Sequence, residues 1–107
     1  MRNAWTLFNP FAGVAESVTS SNVIDLRDAF DFSVSWYTTS GTTTDIDWQV
    51  SNYSMKDSIP EAAWSTWTSL VVSEASFLQP PLGVAFGRLV RTASGASVTF
   101  KTYKQIR

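Results

Sequence analysis

The chain contains no cysteine and no histidine. The first absence removes disulfides, a thiolate nucleophile, iron–sulfur clusters and cysteine-ligated zinc. The second removes the commonest general base and the commonest metal ligand. Most hydrolase and metalloenzyme chemistry is thereby disfavoured, and only carboxylate, Lys, Tyr, Ser and Thr chemistry remains. Charge is also scarce: 16% of residues are charged and the net charge is −1. That balance argues against a protein that holds nucleic acid by bulk charge. No apolar run approaches the roughly 20 residues of a membrane span. No basic start followed by an apolar run marks a secretory signal. The expectation is a protein made and used without export, with no membrane partner. Three Glu and three Lys are too few good helix formers for a helical bundle.

What is present points to strands. Apolar residues make up 44% of 107 residues, enough for the core of one domain and too short a chain for two. Five Trp, seven Phe and a Ser/Thr content of about a quarter suit the pleated, half-buried surface of a sheet.

The clearest strand runs from Phe30 to Tyr37. Phe30, Phe32, Val34 and Trp36 share one parity, and Asp31, Ser33, Ser35 and Tyr37 the other, the period of a half-buried strand. Ile46, Trp48 and Val50 alternate in the same way between Asp45 and Ser51. The Thr/Ser/Gly segment 38–44 between them reads as a hairpin loop. Shorter strands are expected at 22–26, with a bulge near Arg27-Asp28, and at 14–19. Further strands are expected from Trp64 onward to Leu78, at 84–92 and at 97–103, with turns at 79–83 and 93–96. Ser58 to Ala63 suits one helical turn with Pro60 in its first turn. Seven or eight short strands with turns about every ten residues predict an all-β, antiparallel β-sandwich, jelly-roll-like. Residues 14–107 form the single sandwich domain, and residues 1–13 are an N-terminal segment or arm.

Candidate chemistry is thin. Asp25, Asp28 and Asp31 recur at every third position, and Asp45 and Asp47 lie on another strand. No sharp-turn Gly or closing Glu makes an EF-hand of them, so they read as turn formers and a solvated face, with no metal expected. Glu16, Glu61 and Glu74 are the only glutamates, and nothing in the sequence pairs them across a glycosidase cleft. The Asn52-Tyr53-Ser54 sequon reads as a chance match without a secretory signal. No cofactor and no enzyme activity are expected.

Aromatic residues carry more. Trp36 and Trp48 belong to the core. Tyr53, Trp64 and Trp67 surround the longest irregular stretch, where they are candidates to face a ligand, anchor a protein contact or cap one end of the sandwich. Trp5, Leu7, Phe8 and Phe11 crowd the N-terminal segment, more apolar surface than a small monomer leaves exposed, and are expected at an interface. Charge is polarised along the chain. Residues 1–74 hold nine acids and three bases, and residues 75–107 hold five bases and no acid. Either the basic strands pair with acidic neighbours in the same fold, or Arg88 and Arg91 help present a basic surface to another subunit.

The order of these segments resembles a known group. Asp31-Phe32-Ser33-Val34-Ser35-Trp36 leads through a Ser/Gly/Thr turn to Trp48-Gln49-Val50-Ser51-Asn52. Trp64-Ser65-Thr66-Trp67-Thr68-Ser69-Leu70 follows, and then Gly87-Arg88-Leu89-Val90-Arg91-Thr92-Ala93-Ser94-Gly95. This is similar to small β-sandwich structural proteins of tailed bacteriophages, a loose group of head decoration (cement) and tail proteins. The resemblance covers roughly residues 23–104, and Tyr53 stands where many such domains carry an acidic residue. It implies a virion structural protein, in the leading reading a capsid decoration protein located in the virion. Such a protein binds the major capsid protein and is expected to be a homo-oligomer, a trimer being the first expectation. A tail, fibre or adaptor component, or a carbohydrate-binding or host-adhesion module, is the alternative.

Overall fold

In the computed structural model, residues 4–15, 18–38, 44–72, 76–80, 82–91 and 98–106 are described. Among the described residues eight strands are present: β1 Ala4–Phe8, β2 Ile24–Asp25, β3 Ala29–Thr38, β4 Thr44–Ser51, β5 Ser65–Val72, β6 Ser76–Leu78, β7 Phe86–Arg91 and β8 Val98–Ile106. Every pairing is antiparallel, and the strands form two four-stranded sheets. Sheet A has the order β1-β8-β3-β6 and sheet B the order β2-β7-β4-β5. First pairs with last, second with seventh, third with sixth and fourth with fifth. Successive pairs fall in alternate sheets. A single long hairpin wrapped around a core gives this order, so the sandwich is a jelly roll.

The core forms where the alternating strands face each other. Phe32, Val34 and Trp36 on β3 are buried, and so are Ile46 and Trp48 on β4. Trp36 is 2% exposed and Trp48 1%, as the strand parities predict. The Phe32 and Trp48 ring centroids lie 5.4 Å apart at 32°, so the inner faces of the two sheets meet in an aromatic contact. Gly87 on β7 lies directly under the Trp48 indole, where a Cβ would overlap Cη2 and Cζ2.

Several expectations are revised by this geometry. The bulge of β3 falls between Ala29 and Asp31, which skips Phe30, while Arg27-Asp28 is a turn closed by Ala29 N–H to the Leu26 carbonyl at 3.2 Å. The Phe30 side chain lies outside the described residues. No strand forms at 14–15 or 18–19; Ser20 makes only an isolated bridge to Val90, and Thr19 accepts from Arg91 N–H. The run from Trp64 to Leu78 divides into β5 and β6, which lie in different sheets. The 53–63 stretch makes two 3₁₀ turns, Lys56–Ser58 and Glu61–Ala63, with Pro60 capping the second. The turn at 93–96 and the middle of the 38–44 loop lie outside the described residues.

The N-terminal segment, read as a segment or arm, is an edge strand in its described part. Residues 4–8 pair with β8 from Ala4↔Ile106 to Phe8↔Thr102. Asn9-Pro10-Phe11-Ala12-Gly13 then turns the chain inward. The Asn9 side chain accepts from Phe11 N–H at 2.9 Å, Ala12 N–H donates to the Asn9 carbonyl, and Gly13 takes a φ of 75°. Asn at the start and Gly at the left-handed position suit this turn physically. Its consequence is that Phe11 enters the core at 7% exposure and Phe8 packs against it.

Candidate interaction surfaces

Strand parity assigns each outward residue to one of two faces. On sheet B, Gln49 pairs with Arg88 of β7 and with Thr66 of β5, all opposite in parity to the buried Trp48. Arg88 is nevertheless only 7% exposed, because the 52–64 segment folds over it. Its Nη1 and Nη2 donate to the Glu61 carboxylate at 3.0 and 2.7 Å, and its Nε donates to Gln49 Oε1 at 2.8 Å. Its guanidinium stacks on the Trp64 ring at 4.5 Å. Paired, bidentate and stacked, this arginine is fully used within the chain. Ser51 and Phe86, in the neighbouring row, are also buried, with Arg27 above the Phe86 ring at 5.0 Å. Sheet B thus has a roof.

The remaining bases behave alike. Arg91 stacks on Phe11 at 4.2 Å and donates to the Val18 and Ala15 carbonyls. Lys104 pairs with Asp28 at 2.9 Å. The described bases of the C-terminal third, Arg88, Arg91 and Lys104, therefore meet acidic, amide and carbonyl partners of the same fold, as in the first of the two readings of the charge polarity. Arg88, Arg91 and Phe11, expected at an interface, are spent on internal packing. Lys101's side chain and Arg107, like Glu16 and Glu74, lie outside the described residues.

The aspartates separate. Asp25 accepts from Arg27 Nη2 at 2.7 Å and Nε at 3.0 Å. These charge-assisted bonds hold its carboxyl down at about 2, against the opposing effect of partial burial. Arg27 is raised in return by the same partner. Glu61 is lowered by its hydrogen bonds to Arg88. Asp31 accepts from Phe32 N–H. Among the described residues, no group of three or more acidic side chains is gathered into a metal-binding cluster.

On sheet A the outer parity is open. Leu7 pairs with Tyr103, which pairs with Ser33, and Phe77 pairs with Ser35. Ser33, Ser35 and Tyr103 are half-buried, whereas Leu7 is 58% and Phe77 62% exposed. These are the two most exposed large apolar side chains among the described residues, and they lie on the two edge strands of one face. Trp5's side chain lies outside the described residues. Of the three aromatics proposed to face a ligand, Trp64 is taken up by Arg88, while Tyr53 and Trp67 are exposed.

Sequence reasoning missed Phe77 and Glu61. A three-residue strand is too short to show its parity, and no local signal links Glu61 to an arginine 27 residues away.

No protein-family model matches this chain, and no curated protein matches it. Among solved structures, the "Crystal structure of PirA" is similar over 96% of this chain and 92% of its own, with 19% identity and a TM-score of 0.48.

Proposed function

We propose that this chain is a virion structural protein of a tailed bacteriophage, a head decoration protein without catalytic activity. In this reading it binds the assembled major capsid protein through the outer face of sheet A. The observation that carries it is the exposure of Leu7 and Phe77 on one face of a jelly roll whose other face is roofed by its own chain. A monomer gains nothing by leaving two large apolar side chains in water on the same surface, and the half-buried Ser33, Ser35 and Tyr103 lie on the strands between them. The segment order described above supports the phage assignment. A homo-oligomer, with a trimer expected, places several copies of this face on the lattice at once, so weak individual contacts sum.

The test is a Leu7→Ser, Phe77→Ser double variant mixed with assembled heads of the phage that encodes the protein. The parent should co-sediment with heads and the variant should not, while its melting temperature stays close to the parent's. Equal binding by the variant, or parent protein found on tails and absent from heads, would overturn the decoration reading. Native mass spectrometry of the parent reports the oligomeric state.

A further inference from the structure

We infer that the β5 edge of sheet B carries a stacking site for a neutral glycan, centred on Trp67 and Thr66. This site is separate from the face assigned to the capsid. Trp67 is 50% exposed. It stands where the register of β4 and β5 slips: Trp48 pairs with Thr68 and Gln49 with Thr66, so Trp67 is the unpaired extra residue. A bulge re-aims a side chain and ends regular pairing. Here it presents an indole at a sheet edge rather than into the core.

The neighbouring hydroxyl is held in place. Gln49 Nε2 donates to Thr66 Oγ1 at 3.3 Å. The amide can only face this way because its Oε1 accepts from Arg88 Nε, and Arg88 is fixed in turn by Glu61. Because Thr66 Oγ1 accepts from Gln49, its own O–H is left to donate outward. An exposed indole beside an oriented hydroxyl matches a pyranose, which offers an apolar C–H face and equatorial oxygens. The Thr66 hydroxyl is oriented before any ligand arrives, which lowers the ordering cost of binding. The charge around it selects. Arg88 is neutralised by Glu61, and Asp47 lies one row away opposite Ser69. That surface disfavours uronic and sialic acids and leaves neutral hexose polymers.

The experiment is affinity electrophoresis of the full chain in gels containing a soluble β-glucan, a mannan or a galactan, with polygalacturonate as the anionic control. The parent should be retarded by at least one neutral polymer and not by polygalacturonate. Trp67→Ala should weaken retardation by about tenfold or more. Thr66→Val should weaken it by a few-fold and Thr66→Ser should restore it. Gln49→Ala should fall between the parent and Trp67→Ala. Because Trp67 and Thr66 are exposed, thermal melting should be nearly unchanged in all of these except Gln49→Ala. The inference fails if no neutral polymer retards the parent, if Trp67→Ala is retarded equally, or if retardation is strongest with polygalacturonate. It also fails if Trp67→Ala changes the oligomeric state without any glycan effect, since the edge is then a contact between copies.

Discussion

The two outer faces of this jelly roll are built from the same alternating strands and have opposite fates. On sheet B the outward positions Ser51, Phe86 and Arg88 are buried, because the 52–64 segment and Arg27 cover them. On sheet A the equivalent parity stays accessible, and Leu7 and Phe77 project from its two edges. The difference teaches how a small sandwich uses its charges. Three arginines each lie over an aromatic ring of their own chain. Each seals an edge or a roof rather than advertising a basic surface. The face that lacks such seals is the one the proposed function assigns to a partner.

The largest break in this comparison comes from removing β1 and its turn. Deleting residues 2–11 takes away one edge of sheet A and also Phe11, which packs in the core and supports Arg91. The truncated protein should lose cooperative unfolding in urea. Phe11→Ala alone should cost about 3–5 kcal/mol, as large-to-small core changes do. A truncated chain that melts as the parent does would show that β1 is dispensable, and the face it borders would have to be redrawn.

Next comes the inner side of sheet B. Gly87→Ala should destabilise by about 3 kcal/mol, because the added methyl has no space beneath the rigid Trp48 ring and the two sheets must part to admit it. The open side of the molecule offers a contrast: Leu7→Ser and Phe77→Ser should each change stability by about 0.5 kcal/mol or less. Chemical denaturation of the three variants side by side measures the asymmetry directly.

The roof is more modest. Arg88→Met keeps much of the apolar stem but loses the hydrogen bonds to Gln49 and Glu61 and the cation over Trp64. A loss of about 1–2 kcal/mol is expected. Glu61 is itself exposed, so removing the arginine strands no buried charge. Tryptophan emission should shift to the red as Trp64 loses its cover. An unchanged spectrum and stability would mean that the 52–64 segment is held by something other than this arginine.

Much of the sandwich was legible in the chain because its central strands obey a period of two over residues 31–36 and 45–48. Phe32, Val34 and Trp36, like Ile46 and Trp48, could be placed inward from spacing alone, and they are buried. Seven or eight short strands with turns about every ten residues pointed to a jelly-roll-like sandwich. Three kinds of information were not legible. Short strands such as Ile24–Asp25 and Ser76–Leu78 carry too few residues for a period. Bulges, at Phe30 and at Trp67, shift register through backbone geometry that composition does not record. Long-range pairs such as Arg88 with Glu61 decide whether an outward arginine is a surface charge or a buried strut. The apolar N-terminal residues were read as too many for one core. The Asn-Pro-Phe-Ala-Gly turn resolves that by splitting them, sending Phe11 inward while Leu7 stays in solvent.

The smallest effect concerns acid. Asp25 is held at about 2 by its bonds to Arg27, below its ordinary value near 3.8. A carboxylate whose folded value is depressed adds stability that is fully present above its unfolded value. That stability is lost as the pH falls through the folded one. The window for Asp25 is therefore between about pH 4 and pH 2. Because the partner guanidinium is more than half exposed, solvent and salt screen the pair. The contribution should be about 1 kcal/mol or less at low ionic strength. Asp25→Asn should be slightly less stable than the parent at pH 7. It should lose less on acidification and meet the parent near pH 2. The pair sits at the β2 edge, where Arg27 also covers Phe86, so adding salt should shrink the difference without closing it entirely, leaving the packing share of Arg27. Melting curves at pH 7, 4 and 2, each at low and high salt, separate the two shares. Parallel curves for parent and variant across that range would mean that Arg27 holds Phe86 without help from Asp25, and the edge of the roof would then rest on packing alone.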